Sequence, residues 1–66
     1  MNIIKGKIIS IYSEPTISMI SIKTSKDILY PIYLEPRCLD HIIKCEGDIY
    51  DREVLYNTDI GGLVFI

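Results

Sequence analysis

The stretch EPRCLDHIIKCEG (residues 35–47) decides the fold, because here the hydrophobic pattern leaves a period of two and becomes helical. Pro36 suits a first helical turn, where its ring fixes a helix-compatible φ and its missing N–H is no loss. Gly47 is an ordinary helix stop. Residues 37–45 between them read as one short helix. At about 100° per residue, Cys38, Leu39, Ile42, Ile43 and Cys45 form one continuous apolar arc. Asp40 and Lys44 lie opposite, and His41 sits on the border. Free cysteine packs as a small hydrophobe, so both thiols are expected at the core or its edge. The helix then plugs one end of whatever the rest of the chain builds.

Working outward, the flanking segments read as strands. On the N-terminal side, DILYPIYL (27–34) alternates, with Ile28, Tyr30, Ile32 and Leu34 opposing Leu29, Pro31 and Tyr33. Pro31 cannot donate to a ladder, so this strand lies at an edge or is bulged there. SKD (25–27) is a short polar turn. ISMISIKT (17–24) sets Ile20 and Ile22 on one face and Met19, Ser21 and Lys23 on the other. SEPT (13–16) supplies turn chemistry. IIKGKIISIY (3–12) is the first strand, and Gly6 inside it predicts a bulge or sharp bend. Beyond the helix, DIYDREVLY (48–56) is a fourth strand whose parity breaks at Asp51 and Arg52, which predicts a bulge. NTDIGG (57–62) is a turn, and LVFI (63–66) is a fifth strand.

The order is therefore β-β-β-α-β-β, with the helix between strands three and four. Together with Gly6 and the CEGDIY helix-to-strand turn (45–50), this order resembles the OB-fold, a five-stranded Greek-key barrel. The resemblance covers the whole chain and implies a single all-β domain, residues 1–66, with an oligonucleotide- or ligand-binding face. The aromatic RNA-binding signatures of cold-shock domains are absent. GKIISI (6–11) and DHIIKCEGDIY (40–50) are similar to the small oxyanion-binding domains attached to molybdate transporters. That likeness implies a small-ligand module as a further option. An SH3-like barrel is the structural alternative.

A chain of 66 residues sits near the lower size limit for a self-sufficient core, so its core must be unusually apolar. The chain meets that demand with 15 isoleucines and no Ala, Gln or Trp. β-Branched Ile favours sheet, and the same bias fits an A+T-rich coding sequence. The net charge is −2. Residues 1–26 carry Lys5, Lys7, Lys23 and Lys26 against Glu14, while the remainder carries eight acids against Arg37, Lys44 and Arg52. Polyanion binders usually show a strongly basic balance or stripe, so any basic patch must be local to the first two strands. No apolar run approaches the roughly 18 residues that span a membrane, and MNIIKGK lacks a signal peptide's apolar core. A cytoplasmic protein with reduced thiols is the expectation.

The reactive residues of the helix do not assemble a site on paper. Cys38, His41 and Cys45, with Asp48 as a fourth group, are the only metal-ligand set to consider. Cys38 and Cys45 are about 10.5 Å apart along a helix axis, too far for one ion or for a disulfide. A cysteine nucleophile would need a base, and His41 has no third group to orient it. Asp48/Asp51 and Asp51/Glu53 read as solvated strand-end charges. No phosphate cradle follows Gly61–Gly62. The expectation is no enzyme, no metal and no cofactor.

Binding is left. Of five tyrosines, Tyr33 faces outward beside Lys23. Lys7, Tyr50 and Arg52 would complete a stacking-and-cation patch for single-stranded nucleic acid. Met19, Leu29 and Leu55 fall where polar side chains are expected. The terminal strand, with Leu63 and Phe65, has no charge to protect its edge. These positions define the first expectation, a protein partner or self-association. Single-stranded nucleic acid is the second.

Overall fold

The computed structural model describes residues 2–66. Its elements are β1 (Ile3–Ser13), β2 (Ser18–Lys23), β3 (Leu29–Leu34), α1 (Pro36–Glu46), β4 (Glu53–Asn57) and β5 (Gly62–Phe65), in the predicted order. All neighbouring strands are antiparallel, and they lie side by side as β3-β2-β1-β4-β5. The chain passes through α1 before β4 returns to lie beside β1, a Greek-key arrangement. β1 is long because it serves two partners: its first half pairs with β4 and its second half with β2. The sheet is not closed. β3 and β5 are its two edges, so the expected barrel is an open five-stranded sheet.

Local chemistry explains the hairpins. Glu14 N–H donates to the Ile17 carbonyl at 2.8 Å around Pro15 and Thr16. Thr24 N–H donates to the Ile28 carbonyl at 3.0 Å, and Thr24 Oγ1 accepts from the amides of Lys26 and Ile28. Asp27 adopts φ 60° in that turn, a left-handed position that Asp tolerates better than most residues. β3 consequently starts at Leu29, and Ile28 is exposed rather than on the core side with buried Ile32 and half-buried Tyr30 and Leu34.

Two irregularities fall elsewhere than expected. The β1–β2 register shifts between Ile8 and Ser10, leaving Ile9 without a partner. This bulge reverses the faces, so Ile8 and Ile11 share the core side and Tyr12 turns outward. Gly6 is no bulge. It pairs with Val54, and a Cβ there would sit 2.7 Å from the Lys23 carbonyl oxygen, so Gly is required by close backbone approach. The parity break before β4 is likewise a turn rather than a bulge. Arg52 N–H reaches the Ile49 carbonyl at 3.2 Å, with Asp51 at φ 61°. Asp51 N–H and Arg52 C=O then bond the main chain of Ile8 at 2.8 and 3.1 Å, which stitches the turn to β1.

The core is Ile8, Ile20, Ile22, Ile32, Leu39, Ile49 and Val54. Six of these seven are β-branched, with little χ1 freedom to lose on burial. Buried Ser18 is satisfied by Ser13, Oγ to Oγ 3.1 Å. The helix contributes less than its apolar arc promised. Leu39 is its only buried residue, Ile42 is half-buried, and Ile43 is exposed. Cys38 and Cys45 are exposed free thiols, contrary to the core placement expected of them. Only Leu39 and Ile42 of the arc pack against the core, and Cys38, Ile43 and Cys45 stay in solvent. No helix among the described residues is long and apolar enough to cross a membrane.

Candidate binding surfaces

Cross-strand pairing lays out the face of the sheet opposite the core. One row runs Leu29–Lys23–Lys7–Glu53 across β3, β2, β1 and β4. The next is Pro31–Ser21–Ser10, and the third is Tyr33–Met19–Tyr12. At the other end, Lys5 lies beside Leu55, and Leu55 beside Val64. Tyr33 is 64% exposed and Tyr12 52%.

Of the residues expected to bind nucleic acid, the sheet pairs Lys7 with Lys23 and sets Tyr33 on the same face. Tyr33 lies beside Met19 and two rows from Lys23 rather than next to it, and the other two lie elsewhere. Tyr50 sits on the Ile49–Arg52 turn rather than on a strand. Arg52 turns away to the helix: its Nη2 donates to Glu46 Oε1 at 3.1 Å, and its guanidinium lies 5.1 Å from the Phe65 ring centroid. Tyr12 takes their place. The bulge at Ile9 put it there, and the one trace in sequence is the Ile8-to-Ile11 spacing of three where a regular strand would alternate. Tyr12 Oη donates to Glu14 Oε1 at 2.6 Å, which raises the phenol above its ordinary value, and slight desolvation adds to the rise.

Carboxylates temper the cationic row. Lys23 Nζ lies 3.5 Å from Asp27 and Lys5 Nζ 3.9 Å from Glu53, and Lys7 faces Glu53 in register. A recess of about 330 Å³ beside Lys5, Lys7 and Ser25 also includes Glu53, an unfavourable neighbour for an oxyanion.

The expected interface residues divide. Leu29 is exposed, and Met19 and Leu55 are half-buried on the outer face. Leu63 and Phe65 instead pack against the core, so the outward side chains of β5 are Val64 and, just past it, Ile66. The helix adds a wide groove of about 600 Å³ between α1 and the sheet edges, lined by Leu34, Cys38, His41, Ile42 and Leu63 among others. In α1, Cys45 Sγ approaches His41 Nε2 at 3.6 Å at the surface. No group of three or more His, Cys, Asp or Glu among the described residues is placed to hold a metal ion. Compared with known proteins, the chain matches no family model, no curated protein and no solved structure.

Proposed function

We propose that the protein is a non-catalytic binding module on an OB-like sheet, and that its partner is a protein. The placement of β1 between β2 and β4, with the helix leading into β4, supports the OB-like assignment over an SH3-like one. The observation that carries the function is the outer face. Tyr33, Met19 and Tyr12 cluster at one end, Leu29 is exposed two rows away on β3, and Leu55 and Val64 lie side by side on β4 and β5. That is more outward apolar surface than so small a sheet needs for its own fold.

A second reading, single-stranded nucleic acid, is favoured by one specific arrangement: Lys7 and Lys23 are cross-strand neighbours, two rows from the Tyr33–Met19–Tyr12 platform. The carboxylates of Asp27 and Glu53 beside those lysines weigh against it. Titrating labelled single-stranded DNA and RNA with the protein, at low and at moderate salt, separates the two. The protein-binding reading expects no salt-dependent rise in fluorescence anisotropy. Binding that weakens steeply with salt and disappears in Tyr33→Ala would replace it with the nucleic-acid reading.

A further inference from the structure

The two edges of the sheet are unequal. In β3, the bond from Thr24 N–H to the Ile28 carbonyl fixes the phase of the β2–β3 ladder. Antiparallel alternation then turns the main chain of Tyr30, Ile32 and Leu34 toward β2, and that of Leu29, Pro31 and Tyr33 toward the free edge. Pro31 therefore falls where its missing N–H removes no ladder bond and where its ring obstructs a newcomer. β5 has no such guard. Ile66 N–H donates to the Glu53 carbonyl at 3.0 Å, so Gly62, Val64 and Ile66 address β4. The amides and carbonyls of Leu63 and Phe65 are left pointing away from the sheet. Among the described residues, neither makes a main-chain bond to another segment. The strand GLVF and the Ile that follows contain no Pro, no charged side chain and no bulge, three of the usual means of blunting an edge, although at four residues β5 is short.

We propose that this edge is completed by a second copy of the chain, β5 against β5 about a two-fold axis. The proposal rests on the protein-binding reading and supplies its partner. The register follows from which groups are free. Leu63 of each copy pairs with Phe65 of the other, and Val64 lies on the axis opposite its own symmetry mate. Non-hydrogen-bonded antiparallel pairs bring Cα atoms to about 4.5 Å. Val64, 59% exposed in the single chain, would be covered by that pairing. Since Leu55 lies beside Val64, the two outer faces would join in one apolar stripe. An uncharged strand meets itself without repulsion, which two-fold pairing requires. It also presents nothing to select a charged peptide.

Sedimentation velocity of the full chain over a concentration series tests this. The wild type is expected to pass from monomer to dimer as concentration rises. Val64→Lys and Val64→Glu should each remain monomeric, and their equimolar mixture should dimerise again. Mixing would not rescue variants that had merely lost their fold. A wild type that stays monomeric at high micromolar concentration overturns the proposal. So does a dimer that survives in both Val64 variants and is lost in Tyr33→Ala, because the contact is then on the outer face. That second outcome would leave the protein-binding reading standing.

Discussion

Gly6 is the residue on which the sheet's shape depends most narrowly. The end of β2 crosses so near its Cα that even a methyl group would meet the Lys23 carbonyl, and because the obstacle is main chain rather than a flexible side chain it has little room to yield. Gly6→Ala should therefore destabilise the protein by about 1–3 kcal/mol, the usual range for overpacking, in a thermal or urea melt. At Tyr12 the relevant physics is titration. Its hydroxyl donates to Glu14, so the folded pKa is raised above the ordinary tyrosine value. The accompanying stability is fully present below the unfolded tyrosine pKa and is lost as pH rises through the folded one. In an ultraviolet titration of the five phenols, Glu14→Gln should move one transition to lower pH.

Among the elements, α1 is the least self-sufficient. It is 11 residues long, lacks a side-chain N-cap and is held to the core chiefly by Leu39. A helix this short is marginal alone and borrows its stability from packing. Leu39→Ala should cost about 2–5 kcal/mol. A chain of 66 residues has roughly 3–10 kcal/mol in total, so circular dichroism should show most or all of the fold lost, not the helix alone. The strands that alternate cleanly, β2 and β3, were legible because each residue's face follows from parity, and Ile20, Ile22 and Ile32 are buried as expected. Pro31 likewise announced an edge. What parity could not show was where it is interrupted. The unpaired Ile9 and the left-handed Asp51 are backbone events set by tertiary pairing, and through them Tyr12 entered the outer face while Tyr50 and Arg52 left it. The exposure of Cys38 and Cys45 was hidden for a related reason: a helical wheel gives the width of an apolar arc, not the width of the surface that receives it.

For the whole molecule, the open sheet supplies the edge at which a second copy is proposed to dock. One edge is obstructed by Pro31 and the other ends in unguarded main chain at Leu63 and Phe65, beside an outer face rich in apolar side chains. A closed barrel would have no such edge. The most direct measurement is amide hydrogen exchange, resolved by residue, in dilute and in concentrated protein. Val64 and Ile66, bonded to β4, are expected to be protected at both concentrations. Leu63 and Phe65 should exchange freely when dilute and become protected as concentration rises. Protection of Leu63 and Phe65 already in the dilute sample would mean that the chain covers its own edge. Free exchange of both amides at every concentration would mean that no second copy pairs there, and either result would overturn β5–β5 pairing.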